Sequence, residues 1–260
     1  MPAVRTDDGV SISYKALGAG PLHLLFLHGW GGSGGYWDGM LKYFDLNGLY
    51  AITPSYRGHG DSDKPTTGYT LERFAKDMFA VANDANADRF VLVGFSMSGK
   101  YAQYMTLMEP DRVLGEVLIA PCGAGELAFP EEMARSWCDA VGNRHRIKEL
   151  LTPFYALPAK PELMDAFLDD FVKIPRVALE QTIHMFAKTS FIEKVKAIRA
   201  PTLVIAGVDD PVLTPEYMRQ NLIAQIPGSR LVVLPCGHEI PHEMPSETAA
   251  LLSAFVAGLR

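Results

Sequence analysis

Cysteine is scarce in this chain. Three occur in 260 residues, Cys122, Cys138 and Cys236. The number is odd and no pair has metal-ligand spacing, so neither a disulfide framework nor a zinc site is expected. Each reads as a small buried apolar residue. No apolar run approaches the roughly 20 residues that span a bilayer. The opening residues, Met1-Pro2-Ala3-Val4-Arg5-Thr6-Asp7-Asp8, hold no apolar signal core behind a positive segment. A concentrated block of one charge is also missing: the net charge is −6, with acids and bases mixed along the chain. The densest basic stretch, Arg144-His145-Arg146-Ile147-Lys148, reads as a solvated helix face, not as a phosphate site. The expectation is a soluble, cytoplasmic protein that binds neither nucleic acid nor membrane. No pattern in the chain sets an oligomeric state.

What is abundant is apolar residues, 48% of the chain. That is enough to cover a sheet on both faces within one domain. Short apolar runs at 22–27, 49–53, 90–93, 113–119, 202–206 and 231–234 are bounded by Gly, Pro or Asp and read as strands buried on both faces of a mostly parallel sheet. Helical period appears between them: Leu71, Phe74, Met78 and Val81 share one face, and so do Leu251, Phe255 and Val256. Residues 4–6 and 10–16 look like an antiparallel pair turning at Asp8-Gly9. Strand and helix in alternation predict an α/β fold with helices on both faces of the sheet. The alternation lapses from about Cys122 to Ser190, where short helical patterns are broken by Pro130, Pro153, Pro158, Pro161 and Pro175. We expect a helical cap at 122–190, inserted into a core formed by 1–121 and 191–260.

Chemistry concentrates at the ends of the predicted strands. In Phe90-Val91-Leu92-Val93-Gly94-Phe95-Ser96-Met97-Ser98-Gly99 a strand runs into a sharp turn and then a helix. A serine at the tip of such a turn is held in strained geometry with its hydroxyl exposed, and the turn needs small residues two before and two after it. Gly94 and Ser98 fill those positions. The strand Leu25-Phe26-Leu27 leads into His28-Gly29-Trp30-Gly31-Gly32, where glycines let backbone N–H groups approach a ligand. The N–H groups of Trp30 and Met97 are the expected oxyanion donors. An acid follows the strand at 202–206, either Asp209 or Asp210, and His238 follows the strand at 231–234. A serine alcohol needs a base to take its proton, and histidine, with a pKa of roughly 6.5, suits that role. A buried carboxylate fixes the ring tautomer and stabilises the imidazolium.

These motifs resemble the α/β-hydrolase superfamily over nearly the whole chain. His28-Gly29-Trp30 is similar to its oxyanion loop. Tyr56-Arg57-Gly58-His59-Gly60-Asp61-Ser62 is similar to the loop after the next strand, with Ser55 where aspartate is more common. Gly207, Asp210 and Pro215 resemble its acid loop, which favours Asp210 over Asp209. Gly237-His238 with Glu243 and Pro245 resembles its histidine loop. The departure is Ser98, where glycine is usual. The resemblance implies a catalytic set of Ser96, His238 and Asp210. It also excludes the aspartate-nucleophile branches, the haloalkane dehalogenases and epoxide hydrolases. A cap argues mildly against the cofactor-free perhydrolases.

The resulting expectation is a carboxylic ester (or lactone) hydrolase acting on a small to medium apolar substrate through an acyl-enzyme, with no metal or organic cofactor. The alternatives are a carbon–carbon bond hydrolase acting on vinylogous diketones with the same residues, and a hydrolase-fold ligand receptor that turns over hardly at all. Candidate substrate-binding residues are Trp30, Phe95, Trp137, Phe154, Tyr155, Phe167, Met185 and Phe186, with His184 as a possible polar group.

Overall fold

A computed structural model describes residues 1–259. Eight strands form one sheet: β1 (Ala3–Arg5), β2 (Ser11–Gly18), β3 (Leu22–Leu27), β4 (Leu49–Pro54), β5 (Phe90–Phe95), β6 (Val113–Ile119), β7 (Thr202–Gly207) and β8 (Arg230–Leu234). Their spatial order is β1-β2-β4-β3-β5-β6-β7-β8. The first two pairings, β1 with β2 and β2 with β4, are antiparallel, and all the others are parallel. Every residue of β5 and of β7 is buried, as the unbroken apolar runs predict. β8 lies at the sheet edge and is partly exposed. At the other edge Val4 pairs with Ile12, and the intervening turn uses Gly9 at φ 83°.

The helices are α1 (Asp38–Leu41), α2 (Leu71–Asp84), α3 (Met97–Met108), α4 (Glu131–Asp139), α5 (Arg144–Leu151), α6 (Pro161–Phe171), α7 (Arg176–Lys188), α8 (Pro215–Met218), α9 (Ile240–Glu243) and α10 (Pro245–Ala257). Thr70 caps α2, accepting from the Arg73 N–H, and the expected face of Leu71, Phe74, Met78 and Val81 is buried. In α10 it is Leu252, not Leu251, that is fully buried with Phe255 and Val256. None of these helices is long and apolar enough to cross a membrane, among the described residues. All three cysteines are buried free thiols.

Four helices, α4 to α7, lie between β6 and β7. Proline sets their limits: Pro130 and Pro175 directly precede α4 and α7, and Pro161 opens α6. Their apolar faces meet the loop after β3. Trp30 packs edge-on against Trp137 of α4 and Phe171 of α6, with ring centroids 5.4 Å apart in both pairs. These helices therefore stand over the ends of the parallel strands, where an open α/β sheet gathers its loops.

Candidate active site

The polypeptide turns sharply at Ser96. β5 ends at Phe95, α3 begins at Met97, and Ser96 between them has φ 53°, ψ −119°. Such a conformation costs a non-glycine residue about 1–3 kcal/mol and persists only where its surroundings enforce it. Here the Ser96 N–H donates to Ile119 O at 2.9 Å, and its carbonyl accepts from Gly99 N and Cys122 N at 2.9 and 2.8 Å. Strand and helix nearly touch: a Cβ on Gly94 would lie 2.6 Å from the Ser98 carbonyl oxygen. Ser98 fits despite its side chain because that side chain is used. Its hydroxyl donates to the His28 carbonyl and shares a 2.8 Å hydrogen bond with the Tyr56 hydroxyl, tying the turn to the loop after β3.

Three side chains from three loops meet at this turn. His238 Nε2 lies 2.9 Å from Ser96 Oγ, and His238 Nδ1 lies 2.6 Å from Asp210 Oδ2. These partners assign the tautomer: Nδ1 carries the hydrogen donated to the carboxylate, leaving Nε2 to accept from the serine. The second oxygen, Asp210 Oδ1, accepts from the N–H groups of Val212 and Leu213 at 2.9 and 2.8 Å. Burial disfavours the charge on Asp210, but His238 and these donors outweigh it and hold the carboxyl below its ordinary value. Burial also disfavours a charged His238. The Asp210 carboxylate, with Glu239 and Glu243 behind it, outweighs that and raises the ring above the ordinary histidine value. Asp209 is exposed, and it is Asp210, not Asp209, whose side chain hydrogen-bonds His238.

The histidine loop is anchored on two sides. His238 N–H donates to Phe154 O at 2.8 Å. Glu243 Oε2 accepts from the N–H groups of Gly237, Ala156 and Leu157 at 3.0, 2.9 and 2.7 Å. The loop after β3 is likewise fixed. His28 is fully buried, and desolvation pushes its pKa well below the ordinary value. Its Nε2 accepts from Tyr56 N at 3.1 Å, and Nδ1 lies 2.8 Å from Gly29 O, so the ring braces the loop. Ser55, where aspartate is more usual, accepts from Gly34 N at 3.1 Å. The N–H groups of Trp30 and Met97 have no acceptor among the described residues. At Met97 the N-terminal end of α3 adds a partial positive charge.

Above Ser96 lies a cavity of about 80 Å³. Trp30, Phe95, Trp137, Phe154, Phe167 and Phe186 line it, as expected from the sequence. Tyr155 and Met185 do not. The Tyr155 hydroxyl instead bonds His242 Nδ1 at 2.9 Å behind the wall. Met185 follows the helical turn away from Phe186 and lines a separate groove with Tyr69 and Tyr104. His184 lines that groove too, and not the cavity. Among the lining residues not expected from the sequence are Phe171, Leu127, Phe129, Leu151, Leu213 and Glu239. Phe171 was signalled, since it falls four residues after Phe167 on one face of α6. No group of three or more metal-ligating side chains occurs among the described residues.

With this geometry in hand, the comparison with known proteins is decisive for the family. The model of the alpha/beta hydrolase family matches residues 24–251. The chain belongs to the alpha/beta hydrolase family. A non-heme chloroperoxidase of Streptomyces lividans is 30% identical over 237 residues, covering 82% of this chain and 83% of the relative. A bifunctional esterase/perhydrolase of Acinetobacter calcoaceticus is 26% identical, covering 97% of each. Among solved structures, Est816, an N-acyl homoserine lactone degrading enzyme, is 31% identical, with a TM-score of 0.82, covering 98% of this chain and 100% of that one. These matches each cover 82% or more of this hydrolase, not one segment alone.

Proposed function

We propose that this hydrolase cleaves carboxylic esters, lactones included, through an acyl-enzyme, with Ser96 as nucleophile, His238 as base and Asp210 as the orienting acid. The observation that carries the reading is the unbroken hydrogen-bonded chain from Ser96 Oγ through His238 to Asp210, beneath an apolar cavity. Ser96 attacks the acyl carbonyl while His238 Nε2 takes its proton. The N–H groups of Trp30 and Met97 receive the oxyanion. His238 then protonates the leaving alcohol and, in the second half, takes a proton from water. We assign 122–190 as a cap over the core of 1–121 and 191–260, and a small molecule as the partner. The N-acyl homoserine lactone degrading enzyme among the solved structures and the esterase/perhydrolase relative support this chemistry.

A second reading keeps the acyl-enzyme and changes its acceptor from water to hydrogen peroxide. The chloroperoxidase and esterase/perhydrolase relatives favour it, against the sequence argument drawn from the cap. The test is a screen over esters, lactones and vinylogous diketones, with and without peroxide, using Ser96→Ala as control. Ester or lactone turnover is expected, with a loss on the order of 10⁴-fold or more in the variant, since the three residues act as a unit. A variant retaining a tenth of the activity refutes the nucleophile assignment. Diketone cleavage without ester cleavage refutes the substrate class.

A further inference from the structure

One polar side chain in the cavity wall has no part in acyl transfer. Glu239 follows His238, is 4% exposed, and lines the same cavity as Ser96. Its Oε2 accepts from the Tyr36 hydroxyl at 2.7 Å, the one hydrogen bond its carboxyl makes among the described residues. Tyr36 holds that oxygen firmly, being stacked on Phe95 at 4.9 Å and on His242 at 4.2 Å. The other oxygen has no protein partner. Unlike Glu243 Oε1, it is not sealed within the protein. Apart from Ser96 and His238, the rest of the cavity wall is mainly apolar, with Trp30, Phe129, Trp137, Phe154, Phe171 and Leu213.

A carboxyl in such a wall is costly unless something answers it. A leucine there would pack without that cost. Burial, opposed by the His238 charge and the Tyr36 hydrogen bond, pushes this carboxyl up to about 7. In either protonation state an oxygen remains that can accept a hydrogen bond. A ligand carrying a donor completes the wall, whereas an anionic ligand is repelled from it.

We infer that Glu239 is a specificity-determining residue whose unpartnered oxygen receives a hydroxyl or amide N–H of the substrate. The preferred substrate is then a neutral, otherwise apolar ester with one hydrogen-bond donor near the scissile group. This rests on the ester-hydrolase reading above, and its test separates the two.

The experiment measures kcat/KM for two isosteric pairs: 2-hydroxyethyl butanoate against propyl butanoate, and methyl N-acetylglycinate against methyl 4-oxopentanoate. Each ratio is divided by the ratio for hydroxide-catalysed hydrolysis of the same pair, which removes intrinsic reactivity. The wild type is expected to favour the donor-bearing member of at least one pair by about tenfold or more, the effect of one buried hydrogen bond. Glu239→Leu should erase that preference, and so should Glu239→Gln, whose carbonyl stays on the Tyr36 hydroxyl and turns its NH2, a donor, to the ligand. The hydroxyl and amide pairs show which donor the site takes. If Glu239→Leu fails to fold, the wild-type ratios and the glutamine variant still decide. Turnover of all four esters with no corrected preference in the wild type, or a preference that survives in Glu239→Leu, overturns the inference and leaves ester hydrolysis standing. Absence of any ester turnover by the wild type overturns the ester reading and this inference with it.

Discussion

The two adjacent acids after β7 offer a sharp test, because one hydrogen-bond pattern makes opposite demands on them. Asp210 is held by both oxygens: Oδ1 accepts from Val212 N and Leu213 N, and Oδ2 faces His238 Nδ1. In Asp210→Asn the side-chain carbonyl must stay on the two backbone donors, since an NH2 group there would clash with them. The NH2 then faces His238 Nδ1 and forces the ring to carry its hydrogen on Nε2. A ring in that tautomer cannot take the Ser96 proton. The charge that stabilises the imidazolium is lost as well. A loss in kcat on the order of 10⁴-fold follows, which is about 5.5 kcal/mol at roughly 1.36 kcal/mol per tenfold. Asp209 is exposed, so Asp209→Asn should stay within about threefold of wild type. The assay is kcat on a soluble aryl ester, with circular dichroism to verify folding. A larger loss at Asp209, or less than about a tenfold loss at Asp210, refutes the reasoning.

Two further expectations concern pH and substrate size. The kcat/KM of the free enzyme should rise with pH as His238 loses its proton. Its midpoint should lie above 6.5, because Asp210, Glu239 and Glu243 raise the ring's pKa. A pH–rate profile that is flat from about pH 5 to 8, or that has its midpoint below 6.5, removes His238 as the base. Across aryl esters of increasing acyl length, kcat/KM should peak at short neutral chains and be poor for a dicarboxylate monoester. Highest efficiency on the longest or the charged ester contradicts a small apolar cavity.

The fold was legible because a doubly covered parallel sheet leaves its mark in composition. β3 and β6 run over the residues that the apolar runs predict, and β5 extends two residues further only because Gly94 and Phe95 continue the ladder into the turn. The three site loops were legible because each follows a strand directly. Choosing Asp210 over Asp209 needed the resemblance, since sequence spacing alone left both open. The pocket was half legible. Tyr155 and Met185 have the same apolar character as their neighbours Phe154 and Phe186, and only helix phase and loop direction separate wall from backing. Glu239 left no signal beyond adjacency to His238, because its role depends on Tyr36, 203 residues away in the chain.

The segment between β6 and β7 does more than cover Ser96, because α3, the loop after β3 and the loop that holds His238 are all fastened to it. On α3, the helix that follows Ser96, the buried Lys100 donates to the carbonyls of Gly125, Phe186 and Thr189 at 2.7, 2.6 and 2.7 Å. On the loop after β3, a Cβ at Gly31 would lie 2.2 Å from the Phe171 ring, and Trp30 Nε1 donates to Thr182 Oγ1 at 3.0 Å. On the histidine loop, His238 N–H reaches Phe154 O, and Glu243 gathers the N–H groups of Ala156 and Leu157. These ties come from separate parts of one segment and converge on the positions that acyl transfer needs fixed. A serine–histidine distance must be kept within a fraction of an ångström for proton transfer to compete. The strained Ser96 backbone supplies one reference point, and the helices supply the others. Their aromatic residues therefore set both the size of the cavity and the register of the site beneath it. On the proposed reading, selectivity for a small neutral substrate and alignment of Ser96, His238 and the two N–H groups would follow from the same packing.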